Sequence, residues 1–370
     1  MTERVSGKIV TPHGVIRQGC VEITDDRITG VGDYPSTRNG HWVVPGFVDL
    51  HTHGGGGHTF TTGDADAARA AAAFHLAHGT TTLLASLVSS PYQLMRAATA
   101  AFTPLVAEGV LAGIHFEGPY LSAARCGAQN PEYLRDPSLD ELNALIELGR
   151  GAIRMVTLAP ERAGALDAIR LLTHRGVRAA VGHTDATYEQ TLAAVAAGAT
   201  VGTHVFNGMA PPHHRRPGPV YALLSAPNVV CEFVADGVHL HDGTLAFATS
   251  VTGADRAALI TDAMAAAGMP DGEYELGGLA VAVVDGVARL TRDGTIAGST
   301  LTMDAALRRA VGAGLSIVDA CRMAATTPAR TIGLGDRLGA LVPGLRADLV
   351  VLDEDLRVLR VMRAGAWVDG

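Results

Sequence analysis

Eight apolar segments spaced through residues 43–261 constrain the fold more than any other feature of this 370-residue chain. None of them alternates between polar and apolar residues, so each is typical of a strand that is covered on both faces. The predicted strands are 43–50, 80–87, 110–116, 153–158, 177–181, 200–204, 229–234 and 257–261, and alanine-rich helices are predicted at 64–78, 139–148, 163–175 and 188–197. Eight strand–helix units favour an α/β fold with a closed (β/α)8 TIM-like barrel, because an open doubly wound sheet usually has fewer strands.

Both ends of the chain differ from this middle region. Short strands separated by turns are predicted at 7–10, 14–17, 19–24 and 27–31 near the start, and at 347–353 and 358–368 near the end. A barrel alone typically takes about 250 residues, so the chain has room for a second unit. We therefore expect a small β-sandwich domain formed by both termini, residues 1–44 and 336–370, beside a catalytic barrel of residues 45–335.

Composition excludes several classes of function. The net charge of −8 argues against broad electrostatic attraction to nucleic acid or to an anionic membrane. The first residues lack the apolar core of a secretory signal, and no apolar stretch is long enough to span a bilayer. The four cysteines lack C-x-x-C spacing, which is typical of reduced thiols in a cytoplasmic protein.

Potential metal ligands recur where predicted strands end, which is where barrel active sites are assembled. They are His51 and His53 after the first strand, Glu117 after the third, His183 after the fifth, His204 at the sixth and Asp262 after the eighth. Any one of these histidines alone would more often be structural. Their recurrence at five strand ends favours a shared site for Zn²⁺, Fe²⁺, Mn²⁺ or Co²⁺. A His-x-His pair points both imidazoles toward one ion only if the strand ends in a bend.

Longer motifs narrow the assignment. They are residues 45–56, 115–120 (His-Phe-Glu-Gly-Pro-Tyr), 182–187, 203–209 (Thr-His-Val-Phe-Asn-Gly-Met), 236–239 (Asp-Gly-Val-His), 261–263 and 297–299. Together and in this order, they resemble the N-acetylglucosamine-6-phosphate deacetylase family of the amidohydrolase superfamily. The His-x-His pair alone is weakly specific, whereas the three motifs spelled out above are strongly specific in combination.

The resemblance implies a metal centre and a catalytic carboxylate. Glu117, His183 and His204 would hold the principal ion, most readily Zn²⁺. His51 and His53, with Glu117 bridging, would form a second site, so that one or two ions are bound. Glu117 would replace the carboxylated lysine of other superfamily members, in keeping with Lys8 as the only lysine. Asp262 would act as general base and then as general acid, unless it merely caps the following helix.

The resemblance also implies a sugar-phosphate pocket. Within the cationic segment 213–218, Arg215 corresponds to the family's phosphate-binding arginine, which the partner subunit can contribute, so that a homodimer is implied. The alternative for this segment is a solvated surface loop. Gln129 stands where many members place a histidine before Asn-Pro, which shifts carbonyl polarisation toward the metal. The expected substrate-binding residues are Ala128, Gln129, Asn207, Gly208, Arg215, His239, Ile296, Ala297 and Gly298.

The expected reaction is hydrolysis of N-acetylglucosamine 6-phosphate to glucosamine 6-phosphate and acetate, in amino-sugar catabolism or cell-wall recycling. One alternative is another amidohydrolase, such as an N-acetylgalactosamine-6-phosphate deacetylase or a nucleobase deaminase. A deaminase would not need Arg215. A second alternative is a catalytically inactive barrel that serves as a scaffold. The complete ligand set argues against a scaffold, because unpaired buried carboxylates and imidazoles are costly.

Overall fold

The computed structural model describes residues 2–34 and 40–368. In chain order, its strands are β1 (Thr2–Thr11), β2 (Gly14–Thr24), β3 (Arg27–Asp33), β4 (Trp42–Pro45), β5 (Phe47–Thr52), β6 (Gly54–Gly55), β7 (His58–Thr59), β8 (Thr80–Leu87), β9 (Gly113–Glu117), β10 (Ile153–Leu158), β11 (Arg178–Val181), β12 (Val201–Gly202), β13 (Val230–Val234), β14 (Ala257–Ile260), β15 (Gly272–Leu276), β16 (Leu279–Val284), β17 (Val287–Leu290), β18 (Leu349–Leu352), β19 (Val358–Arg363) and β20 (Ala366–Trp367).

The helices follow in the same manner. They are α1 (Ala65–Ala77), α2 (Tyr92–Ala107), α3 (Leu139–Gly149), α4 (Ala165–His174), α5 (Tyr188–Ala197), α6 (Gly218–Ser225), α7 (Asp242–Thr252), α8 (Met303–Gly312), α9 (Ile317–Cys321) and α10 (Thr327–Thr331). Side-chain caps fix several of their starts, for example Thr187, which forms a capping box with Gln190 at α5. No helix in the described ranges combines the length and the hydrophobicity needed to cross a membrane.

Eight parallel strands form the barrel, in the order β14-β13-β12-β11-β10-β9-β8-β5. Their side chains are almost all buried, as in β8, where every one of the eight residues is buried. The first and last strands approach one another at their carboxyl ends, where the Asp262 amide donates to the His51 carbonyl over 2.8 Å. The prediction of a (β/α)8 barrel is thereby confirmed.

The two ends of the chain share one seven-stranded sheet, ordered β20-β19-β18-β4-β1-β2-β3. A separate apolar cluster lines it, including Val21, Ile28 and Leu349. The prediction of a small β domain built from both termini is confirmed, while the boundaries 1–44, 45–335 and 336–370 stay predictions. Residues 1, 35–39 and 369–370 lie outside the described part of this domain.

Among the predicted barrel strands, three differ from those observed by more than one residue at an end, and in the terminal sheet the segments 14–17 and 19–24 form the single strand β2, while 358–368 divides into β19 and β20. The segment 43–50 is not one barrel strand, because β4 ends at Pro45 within the terminal sheet and β5 begins at Phe47. Gly46 lies between them, where the chain passes from one sheet to the other. A Cβ atom there would stand 2.4 Å from the Thr81 hydroxyl, so the crossing leaves no room for a side chain. The predicted strand 110–116 begins at Gly113, and 200–204 shortens to β12. The antiparallel sheet β15–β17 was not predicted, and it lies beside the mouth of the barrel.

Candidate active site and metal centre

A bulge at the end of the first barrel strand sets the direction of the His-x-His pair. Asp49 pairs with Leu83 and Thr52 with Ala85, so that the β5 side of this pairing has one residue more than the β8 side. The bulge supplies the bend that the pair requires. His51 Nε2 and His53 Nε2 consequently lie 3.1 Å apart and face the same space.

Three further site residues follow strands in the left-handed backbone region. His183, His204 and Asp262 have φ angles of 46°, 28° and 51°. Such conformations cost of the order of 1–3 kcal/mol for residues other than glycine and concentrate at functional sites. Here each ends its strand abruptly and keeps a polar side chain at the barrel mouth.

The ligand atoms form two groups, each with its members within 4.8 Å of one another. One consists of His51, His53 and Asp262, and the other of Glu117, His183 and His204. Glu117 lies between the groups. Its Oε1 is 3.0 Å from His183 Nε2 and 2.9 Å from His204 Nε2, while its Oε2 is 3.4 Å from His53 Nε2. Five of the predicted ligands and the predicted catalytic Asp262 therefore meet in one place.

The second nitrogen of each imidazole faces a fixed oxygen away from this space. His53 Nδ1 lies 3.1 Å from the Ser86 carbonyl, and His183 Nδ1 lies 2.9 Å from the Arg125 carbonyl. His204 Nδ1 lies 3.1 Å from the Asn207 carbonyl, and His51 Nδ1 lies 3.4 Å from the Glu232 carboxylate. A proton held on Nδ1 leaves the Nε2 lone pair free, which is the arrangement that metal-binding histidines adopt. The donor set therefore fits a divalent cation.

Burial and charge oppose one another within the cluster. Burial raises the pKa of Glu117, but the positive charges of His51 and His183 outweigh it and hold the pKa well below its usual range. Burial lowers the pKa of His51, but the charges of Glu117 and Asp262 outweigh it and raise the pKa well above its usual value. The carboxylates therefore stay ionised and require positive charge beside them, which protons or a divalent cation can supply.

Asp262 lies at the junction between the ligands and the open cavity. Its Oδ1 is 3.2 Å from His53 Nε2, and its Oδ2 is 3.9 Å from His239 Nε2. His239 is in turn oriented by Asp236, whose Oδ2 lies 2.7 Å from His239 Nδ1. Burial favours the neutral form of Asp262, but the charges of His51 and His53 outweigh it and keep the pKa of this carboxyl low. Asp262 is thus available as a base at neutral pH.

Gln129 approaches the metal ligands more directly than the sequence indicated. Its amide Nε2 donates to Glu117 Oε2 over 2.6 Å, and its Oε1 accepts from the Ser89 amide over 2.6 Å. The side chain is almost fully buried. Gln129 therefore holds Glu117 in place in addition to lining the cavity.

A cavity of about 250 Å³ opens above the ligand cluster. Of the nine predicted substrate-binding residues, seven line it: Ala128, Gln129, Asn207, Gly208, His239, Ile296 and Gly298. Ala297 does not, because its side chain is fully buried against the antiparallel sheet β15–β17. Arg215 does not line it either. It is exposed and borders a different cavity of about 610 Å³ together with Arg125 and Arg216.

Three buried polar residues that support the ligands were missed. Glu232 lies within β13 and contacts both His51 Nδ1 and the His204 amide. Asp49 accepts hydrogen bonds from Thr261 and the His51 amide, and burial raises its pKa to about 7 despite these bonds. His115 bonds to the hydroxyls of two neighbouring strands. Asp49 and His115 lie within the motifs 45–56 and 115–120 but had no predicted role, and the only sequence signal for Glu232 is a charged residue inside an otherwise apolar strand.

Comparisons with known proteins agree with this geometry. The profile of the amidohydrolase family matches residues 42–368. The chain is 37% identical over 98% of its length to an N-acetylgalactosamine-6-phosphate deacetylase from Escherichia coli O157:H7, with 97% of that protein covered. It is 35% identical over 88% of its length to an N-acetylglucosamine-6-phosphate deacetylase from Lysinibacillus sphaericus, with 85% of that protein covered.

A solved structure is closer still. It is a variant of the N-acetyl-D-glucosamine-6-phosphate deacetylase from Mycobacterium smegmatis in complex with N-acetyl-D-glucosamine-6-phosphate, at 46% identity and a TM-score of 0.96, covering 99% of each chain. The match thus includes the barrel and the terminal sheet together. The chain belongs to the amidohydrolase family, in the branch of the N-acetylglucosamine-6-phosphate deacetylases.

Proposed function

We propose that the protein hydrolyses the acetamide of N-acetylglucosamine 6-phosphate, giving glucosamine 6-phosphate and acetate. The observation that carries the proposal is the arrangement of Glu117, His183, His204 and Asp262 at the floor of a cavity that His239 also lines. The mycobacterial relative, which is similar in sequence and fold over nearly its whole length, binds this compound in its crystal structure.

Glu117, His183 and His204 are proposed to hold the principal divalent ion, with Zn²⁺ suited to this donor set. His51 and His53, with Glu117 between them, are proposed as a second site. A divalent ion bound here would polarise the amide carbonyl and acidify water. Whether one or both sites fill is measurable as the metal content per chain.

Asp262 is proposed as the group that moves the proton. It accepts a proton from the attacking water, whose oxygen forms the new bond to the carbonyl carbon. It then gives the proton to the amide nitrogen as the C–N bond breaks, because an amide nitrogen leaves poorly as an anion. A position within 3.9 Å of both His53 and His239 places this carboxylate between the ligands and the substrate cavity.

His239 is proposed to bind the sugar or its phosphate. Burial lowers the pKa of His239, but the hydrogen bond and the charge of Asp236 outweigh it and raise the pKa. The cationic form is therefore favoured, which suits an anionic substrate. A second cavity of about 310 Å³ shares His239, Ile296 and Gly298 with the first, so the space for substrate continues past this residue.

Arg215 is proposed to reach the phosphate from a second copy of the chain. Within one chain it lines no part of the ligand cavity, so a direct role requires a homodimer. Loss of phosphate selectivity in Arg215→Gln, together with a dimeric mass in solution, would support this role. A monomer with full selectivity would contradict it.

The test of the reaction is acetate release from N-acetylglucosamine 6-phosphate, N-acetylgalactosamine 6-phosphate and unphosphorylated N-acetylglucosamine by one metal-loaded preparation. We expect a kcat/KM for the first compound at least 100-fold above that for the unphosphorylated sugar. No turnover of any of the three by a zinc-loaded chain would overturn the proposal.

The galactosamine epimer is the second candidate substrate, because the Escherichia coli relative is an N-acetylgalactosamine-6-phosphate deacetylase. The ratio of kcat/KM for the two phosphorylated epimers decides between them. The free thiols of Cys20, Cys126, Cys231 and Cys321 suit a cytoplasmic location, which we also propose.

A further inference from the structure

A separate cavity, which shares no residue with those near the ligand cluster, lies at the opposite end of the barrel. It is bordered by Thr82 near the start of β8, by Gly109 in the loop before β9 and by Arg154 near the start of β10. Strands rise about 3.3 Å per residue, so the start of β9 lies roughly 13 Å from Glu117 at its end. The terminal sheet closes the other side through Arg346 and Arg363.

Four arginines line this cavity: Arg154, Arg337, Arg346 and Arg363. No acidic side chain lines it within residues 2–34 and 40–368. Of the four arginines, Arg346 is the one with a carboxylate at ion-pair distance among the described residues, that of Asp348. Arg154, Arg337 and Arg363 therefore have no carboxylate at ion-pair distance among the described residues, although the charge of Asp348 also acts on Arg363.

Hydrogen bonds and packing hold the guanidinium groups of Arg346, Arg363 and Arg154 in place, and among the described residues only Arg346 also has a carboxylate at ion-pair distance. Arg363 donates to the Gly109 carbonyl, and Arg346 donates to the Thr82 hydroxyl over 3.0 Å. Arg154 lies across Gly113, where a Cβ atom would stand 2.2 Å from the arginine Cγ, so only glycine leaves room for it. The Arg154 Nε atom is buried without a hydrogen-bond partner in the described part of the chain.

The size of the cavity indicates what fills it. Its volume of about 130 Å³ corresponds to about four waters at roughly 30 Å³ each, which is the space of a small tetrahedral ion. The planar guanidinium fork matches the oxygens of phosphate. We propose that this cavity binds a phosphate group, either inorganic phosphate or the phosphoryl group of a small phosphomonoester.

Such a ligand would join the barrel to the terminal sheet, because Arg154 belongs to the former and Arg363 to the latter. Burial and the charge of Arg346 lower the pKa of the Arg363 guanidinium, and the charge of Asp348 offsets them only in part, so a further anion between the two arginines would favour both cationic forms. The proposal does not depend on the deacetylase reaction, since none of its residues lines the ligand cavity.

The experiment is thermal unfolding of the metal-loaded protein in a phosphate-free buffer, titrated with sodium phosphate against sodium chloride of equal ionic strength. We expect phosphate alone to raise Tm, by about 3 °C at one hundred times its Kd. The rise should shrink by at least half in Arg154→Gln and in the Arg154→Gln/Arg337→Gln double variant. Without phosphate, Arg154→Gln should unfold no earlier than the wild type, because it removes a like charge.

Two variants serve as controls. Arg170→Gln removes an exposed arginine on α4 that pairs with Asp167, and it should keep the full phosphate effect. Arg215→Gln separates this cavity from phosphate binding at the proposed substrate site, and it should also keep at least half of the effect. Equal rises with chloride, or a reduction of less than half in the double variant, would overturn the proposal.

The source of the phosphate group is distinguished by calorimetric titration with inorganic phosphate and with methyl phosphate. Binding of both, weakened at least tenfold by Arg154→Gln, assigns the cavity to phosphomonoesters as well as to the free ion. Binding of inorganic phosphate alone, with the same loss in the variant, assigns it to the free ion. Binding of neither at millimolar concentration overturns the proposal.

Discussion

Replacing Gln129 with alanine tests whether this side chain holds Glu117, the proposed metal ligand, in place. The substitution removes a 2.6 Å hydrogen bond from the Gln129 amide to the Glu117 carboxylate and leaves the Ser89 amide unpaired. Outer-shell partners of this kind typically change metal affinity by 10–100-fold, which equals about 1.4–2.7 kcal/mol. The unpaired buried amide costs a further 1–3 kcal/mol of folding stability, roughly, which is a separate quantity.

The assay is competition for Zn²⁺ against a fluorescent chelator of known affinity, with the free energy of unfolding measured on the same variant. Asn130→Ala is the matched control. Its side chain lies in the same loop and caps a single turn through the Glu132 amide, but has no contact with Glu117. Asn130→Ala should leave zinc affinity within twofold of the wild type. A zinc affinity for Gln129→Ala within twofold of the wild type would refute the reasoning, as would equal losses in both variants.

Three other substitutions probe the barrel mouth and its support. Asp262→Asn should lower kcat for acetate release by about 10²–10⁴ with little change in KM, and an unchanged kcat would contradict its role. Gly208→Ala should lower zinc content, measured by elemental analysis, because the added Cβ would lie 2.9 Å from the His183 ring at a φ of 60°. Burial raises the pKa of Asp304, but bonds such as that from His78 outweigh it and bring the pKa from 3.8 to about 2. The stabilisation from the ionised Asp304 is therefore complete above about pH 4 and is lost toward pH 2. In urea unfolding, the free energy of unfolding of the wild type should fall by about 2 kcal/mol more than that of Asp304→Asn over this range.

The convergence of the proposed metal ligands was predictable, because the topology of the barrel brings them together. Parallel strands in a barrel end at one face, so His51, Glu117 and His204 must converge whatever the connecting helices are. No such rule points to Glu232, which lies in the middle of a buried strand. Its carboxylate is 3.4 Å from His51 Nδ1, the ring nitrogen that faces away from the other ligands. A charged residue within an apolar strand signals burial with a partner, but not which partner.

Other features depended on contacts that no local pattern encodes. The apolar run 43–50 looks continuous, yet it belongs to two sheets that meet at Gly46. A side chain at this position would collide with the Thr81 hydroxyl. Arg215 lies in a recognisable sequence motif. Only the tertiary structure shows that, within one chain, it borders a different cavity from the one above the ligand cluster. Gln129 was identified by its place in a loop, whereas its bond to Glu117 depends on the tertiary structure.

The hydrogen bond that closes the barrel, from the Asp262 amide to the His51 carbonyl, has a consequence for synthesis of the chain. About 200 residues separate its two ends, and a ribosome adding roughly 5–20 residues per second needs about 10–40 s to make them. During that interval His51 and His53 are made first and Glu117 follows, whereas Asp262 and the closed barrel come only at its end. A divalent ion captured early by His51 and His53 would therefore be held by an incomplete group of ligands, because Asp262 joins that group only with the last barrel strand.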